Sequence, residues 1–141
     1  MSTIKELQQR VGEINAANGW RTTNEAELDD KARVNAQITR LALITTEVAE
    51  AIEELRNGHP AGEAYYSGGF DQDPEFPLLP HESHDSNGAP RKPEGVPSEL
   101  ADIVIRALDA AGAWNIDLEA IIQEKLAYNV TRGHRHGGKA V

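Results

Sequence analysis

Cysteine is absent from the 141 residues, which excludes disulfides, thiolate zinc sites, iron–sulfur clusters and a cysteine nucleophile. Any metal the chain uses must therefore be held by oxygen. Aromatic residues are scarce at 5%, so the core has to come from Leu, Ile, Val and Ala, a composition that favours helices. No segment approaches the roughly 18 apolar residues of a membrane span, and the start, Met1 to Glu6, lacks the apolar run of a secretory signal. We therefore expect a cytoplasmic protein with no membrane partner. Basic residues number 14 against 23 acidic ones, a formal charge of −9. That excess repels a nucleic-acid backbone over most of the surface and argues against a polynucleotide partner. The length fits one domain spanning 1–141.

What is present is helical periodicity. Ile4, Leu7, Val11 and Ile14 recur at helical spacing after Ser2 and Thr3, either of which can cap a first helix, and Asn18-Gly19 supplies its stop. A longer pattern starts near Asn24 and runs to Asn57-Gly58, with Val34, Ile38, Leu41, Val48, Ile52 and Leu55 as its apolar stripe. All seven prolines fall between His59 and Pro97. This 59–97 segment reads as an irregular Pro/Gly-rich insert with no strand pattern, and Tyr65, Tyr66, Phe70 and Phe76 give it a means of docking.

Helical order returns after Pro97, with Ser98 as a natural cap and Leu100, Ile103, Val104, Ala107, Leu108 and Ala111 as a buried face ending near Gly112. Asp117 can cap a last helix carrying Leu118, Ile121, Ile122 and Leu126. Residues 133–141 then form a basic, flexible tail. The expected fold is all-α, a four-helix bundle-like domain with a long loop between the second and third main helices.

Acidic residues in the helices carry the chemistry. Glu47, Glu50 and Glu54 are spaced by three and four and project from one side of the long helix. Glutamate is a good helix former that ordinarily sits in water, so a solvated acidic face is the plain alternative. Leu43 shares the side of these glutamates while Val48 and Ile52 occupy the other, which predicts that protein covers the stretch from both sides. A covered carboxylate requires a counter-charge. Glu99 and Asp102 repeat the spacing of three near the start of the next helix. If the two helices pack face to face, Glu47, Glu50, Glu99 and Asp102 form an oxygen ligand set for Mg2+ or Mn2+. Lys125, Asn129 and Arg132 share a face of the last helix and offer donors for phosphate. Trp20 offers a flat apolar platform for a nucleobase, though an indole there more often joins the core.

The chain resembles the MazG-like family of all-α nucleoside triphosphate pyrophosphohydrolases. The resemblance runs from about Leu41 to Lys139 and rests on Thr46-Glu47-Val48-Ala49-Glu50, Glu99-Leu100-Ala101-Asp102, and Lys125 through Asn129 and Arg132 to Lys139. It implies that Glu47, Glu50, Glu99 and Asp102 bind magnesium, and that a water attacks the α-phosphorus of an NTP or dNTP to give the monophosphate and pyrophosphate. With that chemistry, Glu47 and Glu50 are also the candidates for proton acceptor. It further implies self-association as a homodimer or homotetramer. Thr46 stands where the family commonly has a further glutamate, and the connection from Glu50 to Glu99 is longer than usual. A rival reading keeps the acids as a structural metal site in a non-catalytic helical oligomerisation module.

Overall fold

The computed structural model describes residues 1–20, 24–68, 79 and 81–132. Among them are four α-helices and one two-stranded sheet, and none of the helices is long and apolar enough to cross a membrane. The chain divides into two compact units, Met1–Asp29 with Leu108–Val141, and Asp30–Ala107.

In the first unit, α1 spans Ile4–Ala17. Of the two possible caps, Thr3 is the one used. Its side chain accepts from the Glu6 amide at 3.1 Å, and the Glu6 carboxylate accepts from the Thr3 amide at 2.8 Å, a closed capping box. The stop expected at Asn18-Gly19 is present, with Gly19 at φ 79° and the Trp20 amide donating back to the Asn15 carbonyl. Helix α4, Leu118–Thr131, begins at Asp117, whose side chain accepts from the Ala120 amide. Two bonds tie α1 to the α4 end of the unit: the Lys5 amide to Glu119 at 3.0 Å and the Gln8 side-chain amide to the Ile116 carbonyl at 2.9 Å.

Helix α3, Val96–Ala113, contributes its last residues to this unit. Leu108, Ala110 and Ala111 are buried there, and buried Asp109 accepts from Asn15 at 2.8 Å. The helix ends on Asn115 at φ 53°, with the Ile116 amide donating to Ala111 and the Asn115 amide to Gly112. Asn115 tolerates the left-handed conformation because its short polar side chain costs less there than a branched one. Thus Gly112 lies inside the helix and Asn115 stops it. The Trp114 indole donates to Glu25 at 3.1 Å, fastening the short 3-10 turn Glu25–Glu27.

The second unit holds α2, Asp30–Arg56. The helix starts later than the apolar pattern implies, because the Asn24 side chain accepts from the Ala26 amide and caps the 3-10 turn instead. Gly58 at φ 90° ends it, with the His59 amide donating to the Glu54 carbonyl. The irregular insert is partly regular: β1, Tyr65–Ser67, pairs antiparallel with β2, Lys92–Glu94. Alternation could not reveal strands this short and this far apart. Buried Arg91 organises what joins them, donating to the carbonyls of Tyr66, Gly68, Leu79 and Glu82 at 2.6–2.9 Å. The guanidinium thereby satisfies carbonyls that an irregular segment leaves unpaired. Of the docking aromatics, Tyr65 stacks on His59 with ring centres 4.7 Å apart and donates to Glu54. Phe70, Phe76 and the tail lie outside the described residues.

Two sequence expectations about cover are corrected. Val34, Ile38, Leu41, Val48, Ile52 and Leu55 are each about half-exposed, and so are Leu100 and Val104. Among the described residues, the apolar side of the stretch around Glu47 therefore stays about half-exposed. Ser98 is not the cap of α3 either. The helix begins at Val96, the Ser98 and Glu99 amides both donate to the Gly95 carbonyl, and the Ser98 hydroxyl donates to Pro93.

Candidate metal centre

Glu47 sits about two-thirds of the way along α2, and Glu99 occupies the first turn of α3 with Asp102 one turn on. One carboxylate oxygen from each of the three lies within 4.8 Å of the others. The start of α3 fixes two of them. Gly95 takes φ 94°, and a Cβ at that position would collide with the Glu63 carbonyl oxygen. Only glycine lets β2 turn directly into α3, the helix that carries Glu99 and Asp102.

Burial at the cluster is unusual for acids. Glu47 and Glu99 are each only 6% exposed, and Glu99 accepts no side-chain hydrogen bond among the described residues. Desolvation pushes the Glu99 carboxyl above its ordinary range, and the nearby charges of Glu50, Asp102 and Glu47 push it further, with Lys92 pulling the other way. Asp102 is raised by desolvation and then by Glu47, against Arg106 and Lys92. Carboxyls raised by burial and by neighbouring carboxylates suit a cation, whose charge would offset both causes.

Glu50 is the fourth residue expected in the ligand set. It is exposed and stands outside the three-residue cluster, yet close enough for its charge to act on Glu99. Two cations that sequence spacing did not reveal flank the acids. Arg106, four residues after Asp102, donates through Nε to Glu47 Oε1 at 2.9 Å. Lys92 on β2 places Nζ 2.9 Å from Glu94, and Ser67 donates to the other Glu94 oxygen at 2.6 Å. Burial alone would raise Glu94, but the Ser67 and Lys92 bonds outweigh it and hold the carboxyl below its ordinary range. An arginine four residues beyond an acid is a common helix pattern, so only the cross-helix contact marks Arg106 out.

The remaining candidates lie in the first unit. Lys125 Nζ and Arg132 Cζ stand 5.6 Å and 6.0 Å from the centre of the Tyr128 ring. They share a face, as their spacing implies, with Tyr128 as the aromatic between them. Asn129 is exposed on the same helix. Trp20 is 79% exposed and takes no part in a core.

The donor set fits a hard divalent cation: three carboxylate oxygens from two helices, with no nitrogen or sulfur among them. No family model, curated protein or solved structure matches the chain.

Proposed function

We propose that the chain is a magnesium-dependent nucleoside triphosphate pyrophosphohydrolase, converting an NTP or dNTP to the monophosphate and pyrophosphate. The observation that carries this reading is the convergence of one carboxylate oxygen each from Glu47, Glu99 and Asp102 within 4.8 Å of one another, with Glu47 and Glu99 on largely buried residues. Three carboxylates drawn this close repel one another when ionised, and a divalent cation among them would offset that repulsion. The motif resemblance then assigns the chemistry. Glu47, Glu99 and Asp102 hold Mg2+, or Mn2+, with Glu50 as the fourth candidate ligand.

A cation bound there supplies positive charge to phosphate oxygens and lowers the pKa of a nearby water. The chain's own residues do the rest. One oxygen of Glu47 is taken by Arg106, whereas Glu50 is exposed with no side-chain hydrogen bond among the described residues. Glu50 is therefore the better proton acceptor for the attacking water. Lys125, Asn129 and Arg132 are the donors the resemblance assigns to the departing pyrophosphate, and exposed Trp20 is available to a base.

The half-exposed stripe on α2 supports self-association. Its six large apolar side chains stay about half-exposed, and a second copy would cover them, as a homodimer or homotetramer. The same stripe suits a non-catalytic metal-binding oligomer, so turnover decides between the two. The test is to incubate the purified chain with magnesium and a panel of ribo- and deoxynucleoside triphosphates and separate the products. Monophosphate plus pyrophosphate, lost in Glu50→Ala and Asp102→Ala, is the expected result. No release with either metal would leave the scaffold.

A further inference from the structure

Arg106 is only half used by the fold. Its Nε donates to Glu47 Oε1, while Nη1 and Nη2 have no partner among the described residues. The arginine side chain is 45% exposed against 8% for that of Glu47, so the guanidinium bridges the buried acid and solvent. A guanidinium that served only to neutralise Glu47 would gain most from two parallel bonds to both carboxylate oxygens. Here a single bond is made, and the fork that matches carboxylate and phosphate oxygens is left open. Lys92 differs in this respect, since its ammonium is matched to Glu94 at 2.9 Å.

Position adds to the argument. Glu99, Asp102 and Arg106 follow one another at spacings of three and four, which sets all three along one face of α3. Arg106 and the cation ligand set therefore share both that helix face and Glu47. We infer that Arg106 is a substrate-contacting residue: Nε fixes it to Glu47, and the Nη groups bind non-bridging oxygens of a polyphosphate held at Glu47, Glu99 and Asp102. This assignment rests on the proposed function, because it takes the three carboxylates as the cation site. It also gives Glu47 a second task, that of aiming the arginine.

The test uses the full chain and two titrations, each followed by calorimetry: Mn2+ alone, and imidodiphosphate at saturating Mg2+. Wild type is compared with Arg106→Ala and Arg106→Lys, with circular dichroism reporting the fold. Arg106→Ala should lose about tenfold or more in imidodiphosphate affinity, the scale of one charge-assisted hydrogen bond. Its Mn2+ affinity should hold or tighten, since a positive neighbour is removed. Arg106→Lys should fall between, keeping the charge and losing the fork. It also carries the comparison if the alanine variant fails to fold. Imidodiphosphate affinity within twofold of wild type in the folded variants overturns the assignment and leaves the cation site standing. Absence of Mn2+ binding in wild type overturns the cation site and the assignment with it.

Discussion

Arg106 and Glu47, 59 positions apart in sequence, meet through one hydrogen bond of 2.9 Å from Nε to Oε1. That bond joins α2 to α3 at the level of the acidic cluster and leaves the second Glu47 oxygen for other work. Removing the arginine strands a buried carboxylate. Arg106→Ala should therefore destabilise the chain in EDTA by about 1–2 kcal/mol, less than a fully buried pair because the arginine is half in water. Glu47→Gln combined with Arg106→Ala should recover most of the loss. Urea denaturation of these two variants and of Glu47→Gln alone measures it, and an additive double variant would mean the two residues are not coupled.

Stability in the absence of divalent ions should rise as the solution is made mildly acidic. Glu99 and Asp102 are raised above ordinary values of 4.5 and 3.8. A carboxyl raised in the folded state contributes stability that is whole below its unfolded pKa and is lost as pH climbs through the folded one. In EDTA, Tm should thus increase as pH falls from neutrality toward the ordinary carboxyl range. Glu94 works the opposite way: held low, it contributes stability that fails only as pH drops through its depressed value, which sets the acid limit. Magnesium should invert the trend by favouring the charged forms. Glu99→Gln should flatten it, and a slope unchanged in that variant would show that Glu99 does not cause it.

Gly95 should tolerate no side chain. Alanine there meets both the positive φ of 94° and the Glu63 carbonyl. A loss of about 2 kcal/mol or more is expected, from strain and steric displacement together. Because Gly95 opens the helix that carries Glu99 and Asp102, Mn2+ affinity should fall as well. Gly88, at φ 76° with open space around it, is the control: Gly88→Ala should cost stability and leave Mn2+ binding intact.

Arg91 should govern the order of the insert alone. Its four bonds to backbone carbonyls have no carboxylate among them, so Arg91→Met leaves several acceptors unpaired and should loosen the hairpin by about 2–3 kcal/mol. Hydrogen exchange at β1 and β2 amides is the measurement. Faster exchange there with α1 and α4 unchanged is expected, and uniform acceleration would show the insert to be integral to the whole chain.

How much of this was legible in the sequence differs from residue to residue. Asn18-Gly19, Asn57-Gly58 and Asp117 act through backbone neighbours a few positions away, so their effect could be read directly. Asn24 and Ser98 were legible as capping types and misleading as positions. Asn24 closes a 3-10 turn, and Ser98 turns back to Pro93 because Gly95 has already opened the helix. The Glu47, Glu99 and Asp102 spacings showed candidates for one face, and the fold brings three acids together while Glu50 stays exposed. Arg106, Lys92 and Arg91 were not legible, since each acts on groups whose nearness depends on how the chain folds back.

Titration of the full chain with Mn2+, followed by calorimetry and by electron paramagnetic resonance of the free ion, tests the cation site most directly, with Glu99→Gln as the comparison. The account predicts saturable binding in wild type and a loss of about tenfold or more in the variant, together with higher thermal stability of the metal-free variant. Equal Mn2+ affinity in both would contradict it, because the buried carboxylate on which the reading rests would then hold no cation.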